Sequence, residues 1–194
     1  MWEIGINEFL YNPDSKFGII FECIGEAPAL IPFCYLTIVV FGIAFRKWGF
    51  RERKWELILF SCYLICVVAL SATVVESLKH LMGRARFLEL SPPDYLEYTP
   101  FYLISSFGGR SFPSGHASMS ALSFLLLDLN EQHKIFKNKW LLTSFCTIFT
   151  ILVAFSRLVM GAHFITDLLA GIIISLTTRL IVKKIHSLIA RKSL

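Results

Sequence analysis

Four stretches of this chain, residues 28–45, 55–78, 140–158 and 165–182, are apolar for almost the full length of a membrane crossing. A helix needs about 20 apolar residues to span the hydrocarbon core of a bilayer. Over 194 residues, 55% are hydrophobic, only 17% are charged and the mean hydropathy is +0.63, more apolar sequence than a soluble domain of this size needs for its core. A fifth stretch, 115–127, is shorter and opens on polar residues, so it can span only if that first turn faces protein or water. The expected fold class is all-α, a polytopic membrane helical bundle of about five transmembrane helices, organised as one domain over residues 1–194. Residues 1–27 lack the basic start of a signal peptide and are interrupted by Glu3, Glu8, Asp14, Glu22 and Glu26. Their apolar residues, among them Trp2, Ile4, Phe9, Phe17 and Phe21, predict N-terminal interfacial helices at the outer surface.

The net charge of +5 is distributed for a bilayer and not for a nucleic acid. Basic residues gather at Arg46, Lys47, Arg51, Arg53 and Lys54, at Lys134, Lys137 and Lys139, and at Lys183, Lys184, Arg191 and Lys192. Threading five spans puts all three clusters on one side, which the positive-inside rule makes cytoplasmic together with the C-terminus. The N-terminal segment, the loop over 87–113 and the turn between the last two spans then share the extracytoplasmic side. Five cysteines show neither Cys-x-x-Cys nor zinc-ligand spacing, and no chemistry is assigned to them.

Three polar islands fall at that outer rim. The first, residues 79–86, contains Lys79, Arg84 and Arg86 where few cations are expected. Arg84 reads as a lipid-headgroup anchor, whereas Lys79 and Arg86 gain a role from the other islands. The second, residues 111–116, ends in Ser114-Gly115-His116 and opens a helix whose free amide N–H groups can point at an anion. In the third, Arg157 sits at membrane depth, where an arginine marks a cavity or a site. His163 and Asp167 follow, four apart, so that on a helix they share a face and the carboxylate can hold the imidazole in one tautomer. Asp128 and His133 lie near the cytoplasmic end of the third span and read as capping or solvated groups. Within the loop 87–113, residues 87–110, with Pro92, Pro93 and Pro100 among their aromatics, predict an ordered lid at the membrane surface.

Cations and helix-start amides can hold a phosphoryl group without a metal, since Asp167 is engaged by His163 and no acidic cluster is left for magnesium. One histidine can attack phosphorus while the other protonates the departing oxygen. Metal-independent phosphoester hydrolysis through a phosphohistidine is the chemistry these residues predict, with no cofactor.

Lys79 followed by Arg86, then Pro113-Ser114-Gly115-His116, then Ser156-Arg157 with His163 and Asp167, resembles the three-part signature of the type-2 phosphatidic acid phosphatase superfamily. That superfamily also includes the vanadium haloperoxidases. The resemblance implies that His163 is the nucleophile, Asp167 its orienting partner and His116 the general acid. It implies phosphate binding by Lys79, Arg86, Ser114, Gly115 and Arg157. One departure is Phe87, where the family motif closes with proline. The implied protein is an enzyme of a bacterial cytoplasmic membrane, with the bilayer and a lipid phosphate or diphosphate as its partners. Implied substrates are phosphatidate, phosphatidylglycerophosphate or undecaprenyl diphosphate, met at the outer face. The competing expectations are a vanadate-dependent haloperoxidase-like enzyme and a non-enzymatic membrane protein with a vestigial anion site.

Overall fold

The computed structural model describes residues 2–45 and 53–192. Of the first basic cluster, Arg46, Lys47 and Arg51 lie outside the described residues, as does the side chain of Lys192. The described chain is helical: α1 (Trp2–Leu10), α2 (Lys16–Gly25), α3 (Ile31–Ala44), α4 (Lys54–Met82), α5 (Gly115–Ala121), α6 (Leu125–His133), α7 (Lys139–Val159) and α8 (Ile165–Lys192), with no strand among the described residues. Helix starts follow side-chain caps: Ser15 Oγ accepts from Gly18 N, Ser114 Oγ from Ala117 N, and Asn138 Oδ1 from Trp140 N and Leu141 N. Helix α4 runs 29 residues and stops at Gly83, whose φ of +59° makes a left-handed cap that turns the chain in the middle of the first polar island.

Among the described residues, four segments are long and apolar enough to cross a membrane: Lys16–Ala44, Lys54–Glu89, Lys139–Val159 and Ile165–Arg191. The first begins earlier than the apolar stretch at residue 28 suggests. Residues 16–25, expected in the interface, form α2, which passes through a short 3-10 turn (Ala27–Leu30) into α3. Two of the acidic residues that interrupt this segment stand beside polar groups of the bundle: Glu22 Oε1 is 2.9 Å from Arg157 Nη1 and Glu26 Oε1 is 3.6 Å from His116 Nε2. Helix α1 is likewise a docked element, with Glu3, Ile4 and Asn7 buried.

The rod made of α5, the 3-10 turn Leu122–Phe124 and α6 is short because protein and not lipid surrounds it. It packs on α4, α7 and α8, and Ala117, Ala121, Leu122 and Leu125 are fully buried. Helix α8 comes so close that a Cβ on Gly171 would stand 2.3 Å from the Ser114 carbonyl oxygen, a distance only glycine permits. Side chains such as Phe145, Ile148, Ile151, Ile173 and Ile181 point outward, as lipid-facing residues of a bundle do.

Away from loop 87–113, Tyr35, Val39, Phe60, Leu64, Val67 and Leu125 form the main apolar core. Asp128 is buried beside it, and its carboxylate accepts from Tyr63 Oη (2.6 Å), Arg179 Nε and Nη2 (2.7 and 2.8 Å) and Lys183 Nζ (2.7 Å). The expectation of a solvated Asp128 is therefore corrected: the residue ties α4, α6 and α8 together. His133 is also engaged, with Nε2 3.0 Å from Tyr35 Oη. Removing one partner of a buried ion cluster leaves the others uncompensated. Asp128→Ala should lower stability by about 3–5 kcal/mol, read as a lower Tm in detergent, whereas an unchanged Tm would contradict this role.

Candidate functional site

Helix ends from distant parts of the chain meet at the rim where loop 87–113 lies. Lys79 occupies the last turn of α4, Arg86 follows the Gly83 turn, Ser114, Gly115 and His116 start α5, Arg157 ends α7, and His163 and Asp167 bracket the start of α8. The contacts are direct. Ser114 N donates to the Asp167 carbonyl (2.9 Å), joining the start of α5 to the start of α8. A Cβ on Gly115 would meet Lys79 Nζ at 3.1 Å, so the lysine lies against the first turn of α5. Arg157 acts electrostatically on both His116 and His163, and Arg86 on His163 and Lys79.

His163 is buried, and its Nδ1 is 2.7 Å from the Ser111 carbonyl oxygen. That carbonyl can only accept, so Nδ1 carries the proton and Nε2 keeps its lone pair. Asp167 does not make this bond. Its Oδ2 is 3.7 Å from Nδ1, too far for a hydrogen bond, and accepts instead from Ser111 Oγ (2.6 Å) and Phe164 N (2.8 Å). His163 stands two residues before α8 begins, so the pair does not share a helix face as the spacing predicts; the turn into α8 still brings the two within electrostatic range, and Ser111 supplies the hydrogen bond that the spacing attributes to Asp167. Burial pushes the His163 imidazole below the ordinary histidine value. Asp167 pulls the other way, while Arg157 and Arg86 add to the lowering. The ring is thus neutral near pH 7, as a nucleophile must be.

Arg84 is the residue that sequence reasoning misplaced. It is 1% exposed, which excludes a headgroup anchor. Nη1 donates to Asp167 Oδ1 (2.5 Å) and Thr166 Oγ1 (2.9 Å), Nη2 to Glu3 Oε2 (2.8 Å), and Nε to the Thr99 carbonyl (2.8 Å). Its guanidinium lies 4.2 Å from the Phe164 ring centroid. The only sequence signal was an arginine beside a histidine-bearing patch; its partner Glu3 stands 81 residues away. Phe87, in the position of the family proline, packs edge-on against Tyr11 and Phe164 and joins Ile4 and Leu90 in a small core beneath the loop. The loop's inner half, through Tyr95 and Tyr98, belongs to that core, while Leu96, Tyr102 and Ile104 face outward.

The site is rich in unused donors. Arg86 Nε and Arg157 Nε and Nη1 are buried without an acceptor among the described residues; Glu22 approaches Arg157 Nη1 without a hydrogen-bond alignment. Buried guanidinium N–H groups left unpaired are costly, and an anion with several oxygens would satisfy them together with the amides at the start of α5. Among the described residues, no three His, Cys, Asp or Glu side chains stand close enough to hold a metal.

A family model described as the PAP2 superfamily matches residues 60–190, about two thirds of the chain. The lipid A 4'-phosphatase of Porphyromonas gingivalis is 29% identical over 169 residues, covering 83% of this chain and 68% of the relative. The crystal structure of Aquifex aeolicus LpxE superimposes with a TM-score of 0.57 at 20% identity, over 95% of this chain and 96% of that one, which establishes a shared fold. The orphaned donors generate a binding test independent of turnover. Orthovanadate should raise the Tm of the wild-type protein, and Arg157→Ala should weaken its binding by about 10–100-fold, the worth of one or two charge-assisted hydrogen bonds. Equal vanadate affinity in the two proteins would contradict an anion pocket centred on Arg157.

Proposed function

The chain belongs to the PAP2 superfamily, and from that premise we propose that it is an integral-membrane lipid phosphatase that hydrolyses a phosphomonoester through a phosphohistidine at His163. The observation that carries this reading is the His163 ring. Its Nδ1–H is spent on the Ser111 carbonyl, and so Nε2 is left bare beside two arginines with unsatisfied donors.

In the first step Nε2 attacks phosphorus as the P–O bond to the lipid breaks, and His116 gives its proton to the departing oxygen. Lys79, Arg86, Arg157 and the Ser114–Gly115 amides hold the three phosphoryl oxygens and offset the charge that builds on them. Asp167, close but not bonded, favours the positive charge the imidazole gains on attack. In the second step His116, now neutral, takes a proton from water as it attacks the phosphoenzyme, and inorganic phosphate leaves. The lipid tail stays in the bilayer throughout, and by the positive-inside reading the site opens to the extracytoplasmic side.

The relative from P. gingivalis is named for lipid A, which makes a phosphorylated saccharide lipid the first substrate to test. Phosphatidate, phosphatidylglycerophosphate and undecaprenyl diphosphate complete the panel. Purified protein in detergent should release phosphate from at least one of them, and His163→Ala should lower kcat by on the order of 10³-fold or more. Residual activity within tenfold of wild type would exclude His163 as the nucleophile. Turnover should also persist in excess EDTA. Loss that magnesium restores would contradict a metal-free mechanism.

A further inference from the structure

Helix α1 carries a buried carboxylate that the reaction as described leaves without a task. Glu3 is 2% exposed and accepts from Arg84 Nη2 (2.8 Å), Tyr98 Oη (2.9 Å), Thr166 Oγ1 (2.7 Å) and Thr166 N (3.1 Å). One turn further along the same helix, Asn7 Nδ2 donates to the His163 carbonyl at 3.1 Å. Both polar side chains of this face of α1 therefore end on the segment 163–166 that presents the nucleophile.

The charges in this cluster do not balance. Glu3 and Asp167, both buried, share the single guanidinium of Arg84, which donates to one through Nη2 and to the other through Nη1. Burial alone would raise the Glu3 carboxyl, but its hydrogen bonds from Thr166 and Arg84 outweigh that and hold it below the ordinary glutamate value, so it is ionised. The cluster keeps one negative charge in excess, and its Asp167 carboxylate lies 3.7 Å from His163 Nδ1. Without Glu3, the Arg84–Asp167 pair would be neutral and would offer the imidazole little.

We infer that Glu3 is a positioning residue for the reaction: by drawing on the charge of Arg84 it leaves Asp167 the excess negative charge that stabilises His163 as its ring becomes positive on bonding to phosphorus. Glu3 touches neither substrate nor nucleophile and acts through Arg84, Thr166 and Asp167. This rests on the phosphohistidine reading above.

Glu3→Gln tests it with the full chain in detergent, against the best substrate of the panel. The groups that face His163 are Asp167, Arg157, Arg86 and His116, and those that face Glu3 are Arg84, Thr166 and Tyr98. Losing the negative charge disfavours protonated His163, so the acid limb of kcat/KM should move to lower pH. In the same variant kcat should fall about tenfold or more while KM stays within threefold. Orthovanadate should bind the variant within threefold of wild type, which shows a folded pocket. Glu3→Asp, which keeps the charge, should leave the acid limb at its wild-type position. An unmoved limb in Glu3→Gln, an unchanged kcat, or loss of vanadate binding along with activity would each overturn the inference and reduce Glu3 to a packing residue. A wild-type protein inactive on every lipid phosphate would instead refute the phosphatase reading, and the two failures are distinct.

Discussion

A buried guanidinium between two buried carboxylates holds together the end of this protein that carries the site. Arg84 reaches Asp167 at the start of α8, Glu3 in α1 and the Thr99 carbonyl in the loop, and its backbone carbonyl accepts from Ser111 N at 2.9 Å. Three elements far apart in sequence are thereby tied to one side chain. Ion pairs taken out of water gain little net stability over apolar packing, but they penalise every arrangement that leaves one partner alone. Here that penalty enforces geometry. The Ser111 carbonyl that sets the His163 tautomer is located by the same residues that satisfy Arg84.

The bundle supplies the rest by shielding a short polar-headed helix from lipid. Helix α5 could not begin with Ser114-Gly115-His116 at membrane depth if lipid touched it, because its first amides would be unsatisfied. It is surrounded by α4, α7 and α8, with Gly171 allowing backbone contact at Ser114, and its first turn lies against Lys79. In the proposed reaction, the cost of those unsatisfied donors would be recovered as affinity for a phosphoryl group. At the far end, Asp128 of α6 is tied to α8 through Arg179 and Lys183 and to α4 through Tyr63.

Much of this was legible in the sequence because hydrophobic length and charge asymmetry are one-dimensional signals. The helical membrane architecture follows from the apolar runs, and the polar islands identify the helix ends that the fold gathers. What stayed hidden depends on side-chain direction. Glu22 and Glu26 look like interruptions of an interfacial segment, yet they face Arg157 and His116, and α2 belongs to a segment long enough to cross the membrane. Arg84 looks like an anchor because its partners Glu3 and Asp167 lie 81 and 83 residues away. The i, i+4 relation of His163 and Asp167 correctly suggests proximity, but it cannot show that Ser111 takes the hydrogen bond, since that depends on a loop crossing from another helix.

The central claim is that His163 becomes covalently phosphorylated in a pocket assembled from three separate parts of the chain. Rapid quenching during turnover of a ³²P-labelled lipid phosphomonoester, followed by peptide mapping, tests it most directly. The account predicts an acid-labile, alkali-stable label on His163 that is absent from His163→Ala. A label on another residue, or no labelled protein during active turnover, would contradict it.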